Sequence, residues 1–210
     1  MTGPNRTTTR HADSYERTHT RIIEATLESI TREGLSATTI QKIADEAGVS
    51  TATIIKHFET KENVLQAALD CIAREFEEER AQTLAESEGD PVKYLTLTAK
   101  MVLHPKISNV SRIAVWNAFW GEAQARKLYL ERIGAIDAEY ERTVVRMCRQ
   151  IARDGDYQEI NVEAVAICFV GLLEWLWQEK LAAGDSFNVK RAQGLTRGHL
   201  ANSFPKHFRR

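Results

Sequence analysis

Apolar side chains recur along this chain at intervals of three and four residues, the spacing that places them on one face of an α-helix. No sustained alternation of apolar and polar residues, bounded by Asn-Gly or Asp-Gly, indicates a strand. Prolines occur only at positions 4, 91, 105 and 205, so long stretches contain no helix breaker. The pattern therefore predicts an all-α protein of about nine helices.

Three short helices and a longer fourth one are predicted in the first part of the chain. The first carries an apolar stripe from Ile22 and ends at Gly34, because glycine is favoured just past a helix C-terminus. Thr38, with a glutamine three residues later, is typical of a capping box and opens a second helix that stops at Gly48. Ser50 caps the third helix, and the fourth runs from about residue 60 to about residue 84.

The second and third predicted helices are separated only by Gly48, Val49 and Ser50, which is the spacing of a helix-turn-helix. The exposed face of the third helix would then carry hydroxyl and cationic groups, which bond phosphates and base edges. These residues are Ser50, Thr51, Thr53, Lys56 and His57. The same spacing also suits an ordinary helical hairpin in a bundle, so spacing alone leaves both interpretations open.

Residues 38–50 and 57–62 together resemble the N-terminal DNA-binding domain of TetR-type transcriptional repressors. The first segment reads Thr-Thr-Ile-Gln-Lys-Ile-Ala-Asp-Glu-Ala-Gly-Val-Ser, and the second reads His-Phe-Glu-Thr-Lys-Glu. The likeness extends over about residues 20–65, and its motif is specific. It implies a three-helix helix-turn-helix domain that binds double-stranded DNA.

The resemblance also implies a role for each matching position. Thr39, Thr53 and Lys61 would hold phosphates, and a lysine at a helix N-terminus suits that role because charge and dipole both favour an anion. The residues that would face the bases are Thr51, Ala52, Lys56 and His57. Family members usually carry tyrosine where this chain has Ile55, so this side chain would meet a thymine methyl group or simply pack.

A second helical module is predicted beyond the turn-forming residues 85–91. Its five helices are predicted over residues 91–103, 107–122, 125–153, 161–183 and 188–203. The helix over 161–183 is apolar nearly all round, which indicates burial on more than one side. The resemblance implies that the last two helices pair with those of a second copy, and a homodimer suits a helix-turn-helix protein that reads two half-sites.

The chain is therefore expected to have four parts. They are a flexible N-terminal arm over residues 1–20, a helix-turn-helix domain over 21–66, a connecting helix and turn over 67–90, and an effector-binding and dimerisation domain over 91–210. The arm is predicted because this stretch has almost no apolar side chains to bury.

Aromatic residues in the second module are candidates for a ligand site. Trp116, Phe119 and Trp120 share one helical face, and Trp175 and Trp177 add two more indole rings. Such stripes are usually core packing. The alternative is an aromatic cage for a cation, with Glu174, Glu122 or Asp137 balancing its charge.

Residues 113–120 and 173–177 resemble the effector domain of the choline-responsive repressor branch that controls glycine betaine synthesis. This resemblance implies a choline-like cation as the effector. The residues that would bind it are Trp116, Phe119, Trp120, Glu174 and Trp177.

Composition excludes several other classes of protein. With 43% hydrophobic and 27% charged residues the chain is not expected to be disordered, and it lacks a run of uncharged apolar residues that could span a membrane. The N-terminus has no apolar signal segment, so a cytoplasmic location is expected. The three cysteines lack metal-binding spacing, the histidines are scattered and catalytic motifs are absent, so no enzyme, metal or cofactor is expected.

The charge balance changes what kind of DNA contact is expected. The net charge is −1, and residues 1–65 contain eight Lys and Arg against nine Asp and Glu. This balance predicts a short, specific contact surface with few phosphate contacts and weak non-specific affinity.

Together these features predict a DNA-binding regulator, a repressor released from a palindromic operator by a small-molecule effector. Its partners would be double-stranded operator DNA, the effector and a second copy of the chain, with no membrane. The alternative is a small-molecule-binding helical bundle without a DNA-binding role, in which the polar face of the third helix is only solvated.

Overall fold

The computed structural model describes the backbone of residues 6–208 and the side chains of residues 13–208. Within that part the chain folds into α-helices, one short 3₁₀ turn and no strand, which confirms the all-α prediction. The helices are α1 (Arg6–Glu33), α2 (Ile40–Ala47), α3 (Thr51–Phe58), α4 (Lys61–Glu86), α5 (Pro91–Leu103), α6 (Val110–Gly121), α7 (Ala123–Asp154), α8 (Val162–Ala183) and α9 (Val189–Ser203). None of these helices is both long enough and apolar enough to cross a membrane.

Most helices begin where a side chain can accept a backbone hydrogen bond. Ser50 accepts from the N–H of Thr53 at 3.1 Å, which caps α3 as predicted. The cap of α2 is Thr39 rather than Thr38, since the hydroxyl of Thr39 accepts from Lys42 N–H. Thr38 is instead buried, and its hydroxyl donates to the carbonyl of Gly34 at 2.8 Å.

Helix α1 begins at Arg6, inside the segment that was predicted to be a flexible arm through Thr20. Residues 6–20 are therefore helical, their flexibility stays a prediction, and residues 1–5 lie outside the described part of the chain. The physical reason is that a helix needs backbone hydrogen bonds rather than apolar burial, and extending an existing helix costs little once its first turn has formed. Tyr15 and His19 also pack against the end of α3, which gives this polar segment a partner.

The N-terminal helices share one small core. Ile22 of α1, Ile43 of α2 and Ile54 of α3 are fully buried in it, and Val64 of α4 closes it. This packing leaves the opposite face of α3 free. The first three helices therefore present α3 as the outward element of a helix-turn-helix.

The second module is built around a larger core that α5, α7, α8 and α9 share, with residues such as Tyr94, Val144, Phe169 and Phe204 fully buried. A separate cluster joins α1 and α4 to α6 and α7. Helix α6 therefore lies between the two modules and packs against helices of both.

Candidate nucleic-acid interface and ligand cavity

The free face of α3 carries the residues that the sequence predicts for DNA contact. Ser50, Ala52 and Lys56 are exposed, and Ile55 is 46% exposed. Thr51 and Thr53 are half-buried, and the Thr53 hydroxyl lies 2.9 Å from that of Ser50. Their DNA-binding role stays a prediction, but the fold brings them together on one surface.

Two further predicted phosphate contacts lie at the N-termini of other helices. Thr39 precedes α2, and Lys61 is the first residue of α4. Backbone N–H groups in the first turn of a helix have no intrahelical partner and favour an anion. Lys61 is half-buried, and its Nζ lies 3.5 Å from the carbonyl of Ser36 in the loop between α1 and α2.

His57 is half-buried near the end of α3, and its predicted base contact stays a prediction. Its ring stacks on Tyr15 of α1, with the ring centroids 4.0 Å apart and the planes 21° apart. Burial, together with the nearby His19 and Lys56, holds the pKa of His57 below its ordinary value. Tyr15 was missed from the sequence because it stands in a polar segment with no apolar periodicity around it.

A cavity of about 300 Å³ lies between α4, α5, α6, α7 and α8 in the second module. It contains four of the five predicted effector residues, namely Trp116, Trp120, Glu174 and Trp177. This volume is at the small end of the range for ligand sites. The cavity is also lined by Phe76, Asn117, Tyr129, Asp137, Tyr140 and Gln178, of which only Asp137 was predicted from the sequence as a charge partner for a cation.

Phe119 does not line this cavity, which departs from its predicted role. It is 1% exposed and packs in the cluster that joins α1, α4, α6 and α7. The helical twist separates it from Trp116 and Trp120 by enough to place it on the inner side of α6. Glu122 also lies elsewhere, since it accepts a hydrogen bond from Ser36, and Trp175 is exposed beside Arg191.

The cavity wall is acidic and aromatic. Asp137 and Glu174 both reach it, whereas none of the described residues that line it is Lys or Arg. Partial loss of solvent raises the pKa of Asp137, although the Tyr129 hydroxyl donates to Asp137 at 2.8 Å and opposes this effect. The pKa of Glu174 is raised by the same loss of solvent and by the negative charges of Asp137 and Glu141. A cation in the cavity would relieve both effects.

Aromatic rings surround these carboxylates in edge-to-face pairs. Trp116 and Trp120 each contact Tyr129, with centroid distances of 5.8 and 5.3 Å. Trp177 is held in place because its indole N–H donates to the carbonyl of Val102 at 2.8 Å. The hydroxyl of Tyr140 is buried with no hydrogen-bond partner in the described part of the chain, so a ligand could supply one.

Helices α8 and α9 expose several large apolar side chains. Ile167 and Trp175 on α8 are 51% and 48% exposed, and Val189 and Leu195 on α9 are 41% and 38% exposed. These exposed apolar side chains of the last two helices are candidates for an interaction surface. We refer to these four residues as the α8–α9 face.

Two family models match the chain in succession. The model of bacterial regulatory proteins of the TetR family matches residues 22–68, and that of the BetI-type transcriptional repressor C-terminal domain matches residues 94–205. Similar curated proteins include the HTH-type transcriptional regulator BetI of Stenotrophomonas maltophilia, 25% identical over 85% of this chain and 89% of that protein. The protein of the same name from Yersinia pestis is 28% identical over 81% of this chain and 84% of that protein.

Solved structures show the same fold. A putative transcriptional regulator from Pseudomonas aeruginosa PAO1 has a TM-score of 0.73 and 22% identity, covering 92% of this chain and 95% of that one. Another, from Saccharomonospora viridis and solved in complex with choline, has a TM-score of 0.69 and 22% identity, covering 88% and 96%. With both modules matched, this chain belongs to the TetR family of transcriptional regulators and carries a BetI-type C-terminal domain.

Proposed function

We propose that this regulator is a repressor that binds a palindromic operator as a homodimer and is released when a small organic cation enters its cavity. The observation that carries the proposal is the cavity itself, which has two carboxylates, aromatic walls and no Lys or Arg among its described lining residues. The proposal assigns DNA binding to residues 21–66 and effector binding and dimerisation to residues 91–210.

A cation is favoured in this cavity for two independent reasons. Its charge would lower the cost of keeping Asp137 and Glu174 ionised. Trp116, Trp120 and Trp177 line the cavity, and an open indole face attracts a quaternary ammonium by about 0.5–2 kcal/mol. The Trp120 ring already has the guanidinium of Arg126 over one face, 5.8 Å from its centroid. The Saccharomonospora viridis structure contains choline, which makes choline the natural first probe.

Dimerisation is supported by the α8–α9 face. Its apolar side chains lose contact with water if a second copy covers them, and a two-fold dimer presents two α3 helices to successive major grooves. Such a protein acts by binding rather than by catalysis, and it works where its operator DNA lies, in the cytoplasm.

Helix α6 connects the two activities. One side of it provides Trp116, Asn117 and Trp120 to the cavity, and the other side packs Val115 and Phe119 against α1 and α4. An effector that binds one position of α6 more tightly than another therefore shifts the DNA-binding helices. Release from the operator follows if that shift changes the spacing between the two α3 helices.

Fluorescence anisotropy with DNA from upstream of the gene tests the proposal. We expect specific binding that falls steeply with salt, and release on addition of choline or another small quaternary ammonium. Lys61→Ala should weaken binding to all sequences alike and reduce the salt slope by about one, whereas Lys56→Ala should change the sequence preference.

Two results would contradict the proposal. A footprint that no α3 substitution alters would remove α3 as the reading helix. Binding of a cation without any binding to DNA would favour a helical bundle with a small-molecule role alone.

A further inference from the structure

Arg112, in the first turn of α6, joins three helices through its guanidinium. Its Nε and Nη2 donate to the two carboxylate oxygens of Glu75 on α4, at 2.7 and 2.8 Å, which is a bidentate pair. Nη2 also lies 3.4 Å from a carboxylate oxygen of Glu24 on α1. The side chains of Arg112 and Glu75 are only 16% and 22% exposed, so solvent screens them less than a surface pair. Chiefly because of the hydrogen bond to Glu75, the pKa of Arg112 lies above its ordinary value.

Both partners of this ion pair adjoin the cavity wall. Trp116 follows Arg112 by four residues, so the two lie on the same side of α6 one turn apart. Phe76 follows Glu75 directly on α4. Trp116 and Phe76 both line the cavity and meet edge to face, with centroids 6.5 Å apart. A ligand that displaces Trp116 therefore also displaces Arg112, one helical turn away, and changes the geometry of the ion pair.

The other ends of α4 and α1 fix the position of α3. Helix α4 begins at Lys61, directly after the turn that ends α3. Helix α1 shares its core with α2 and α3 through Ile22, Ile43 and Ile54. Arg112 thus contacts the two helices that support the DNA-facing surface.

The geometry points to Arg112 as the positioning residue that couples the cavity to the DNA-binding surface. This inference rests on the proposed function and names the contact through which it works. Two short hydrogen bonds to one carboxylate are lost together when their helices move apart by about an ångström, so the contact has two distinct states. Occupancy of the cavity selects between them, because a ligand that displaces Trp116 also shifts Arg112, one turn earlier on α6, relative to Glu75.

The test compares Arg112→Met with a matched control, Lys106→Met. Lys106 lies in the turn before α6 and pairs with Glu79, one turn beyond Glu75 on the same helix α4. DNA affinity is measured by anisotropy with and without choline as the probe, and choline binding is measured by calorimetry without DNA. In wild type and Lys106→Met, choline should raise the Kd for DNA by about tenfold or more. In Arg112→Met this factor should fall below about twofold while the Kd for choline stays within about threefold of wild type.

A second readout needs no ligand. Three of the four tryptophans of the chain line the cavity, namely Trp116, Trp120 and Trp177. Coupling between sites is reciprocal, so binding of the upstream DNA should change tryptophan emission in wild type and Lys106→Met but not in Arg112→Met. Arg112→Lys keeps the charge without the bidentate geometry and should give an intermediate change.

A purely structural role for Arg112 gives a different result. Arg112→Met would then have a lower Tm and weaker DNA binding, but the choline-induced factor and the DNA-induced emission change would remain. That result overturns the inference and leaves the proposed function standing. The same conclusion follows if another cation releases the wild-type protein from DNA and releases Arg112→Met to the same extent. If wild type does not bind the upstream DNA at all, the proposed function itself fails. Should Arg112→Met not fold, Glu75→Gln and Arg112→Lys carry the same comparison.

Discussion

His57 stands at a position where its residue type and its place in the motif predict base contact, yet its ring stacks on Tyr15 of α1. The imidazole can do either, because it has both a flat apolar face and polar edges. Its stacking partner lies more than forty positions away in the sequence, and base contact by the polar edges of the ring stays a prediction. At the scale of the residue, chemistry sets what a side chain can do, and the tertiary structure decides which neighbours it has.

The lowered pKa of His57 predicts a pH dependence of stability. The unfolded chain takes up a proton near the ordinary histidine pKa, whereas the folded protein resists protonation until lower pH. The free energy of unfolding should therefore decrease as the pH falls from about 7.5 to about 5.5, and the decrease should be smaller in His57→Phe. Urea unfolding at several pH values measures this. An equal decrease in His57→Phe and wild type would contradict the assignment.

Trp120 and Phe119 are neighbours in sequence, but substitution of the first should change ligand affinity and substitution of the second should change stability. Trp120 is 53% exposed at the cavity, so Trp120→Ala should weaken choline binding about 2- to 30-fold with little change in stability. Phe119 is fully packed, so Phe119→Leu should lower the free energy of unfolding by about 1–2 kcal/mol and leave choline affinity nearly unchanged. Calorimetry and thermal unfolding of the two variants separate these outcomes, and a reversed pattern would show that the cavity is not the cation site.

At the scale of the element, local signals located the helices well. The predicted helix over 91–103 has those bounds in the structure, because Asp90 caps it at one end and the turn containing Pro105 follows the other. The exception is α1, whose first turns carry no apolar stripe. Their helical state depends on continuation from the buried part of α1 and on the packing of Tyr15 and His19 against α3.

Alanine substitutions at Gly48 and Gly134 show whether the turn of the helix-turn-helix requires glycine because of its backbone conformation. Gly48 has φ +60°, and a Cβ added there would meet no atom within 4 Å, so the cost of Gly48→Ala comes from the left-handed backbone alone. We expect it to lower the free energy of unfolding by about 1–2 kcal/mol. Gly134 lies within α7 with equal space, and Gly134→Ala should raise the free energy of unfolding by up to about 1 kcal/mol. Thermal unfolding of both variants checks the signs, and equal signs would contradict this account.

At the scale of the whole molecule, the cavity is made by five helices that are distant in sequence. Periodicity predicted that Trp116 and Trp120 share a helical face. It could not predict that Tyr129 and Asp137 of α7 lie across the cavity from them. The same limit applies to Phe119, because spacing defines a face of a helix without saying what lies against it. The ion pairs of Arg112 with Glu75 and Glu24 also depend wholly on how α6 is placed against α4 and α1.

Dimerisation is the property of the whole molecule that the proposed function most requires. Ile167→Glu places a charge within the α8–α9 face and should convert the proposed dimer to a monomer with loss of operator binding. Leu130→Glu is the matched control, because Leu130 of α7 is 52% exposed outside that face. Light scattering after size exclusion and anisotropy measure the two effects. A dimer that survives Ile167→Glu but not Leu130→Glu would place the interface elsewhere.

The sequence by itself determined the helical class, the turn at Gly48, the bounds of most helices and the polar set on α3. These depend on hydrogen bonds and side chains within a few residues of one another, so the local order of residues contains the information. Only the tertiary structure decided that α1 reaches back to Arg6, that His57 packs on Tyr15, and that two carboxylates meet three indole rings in one cavity. Each of these depends on which helices pack together, and that is set by complementary shape and burial across the whole chain.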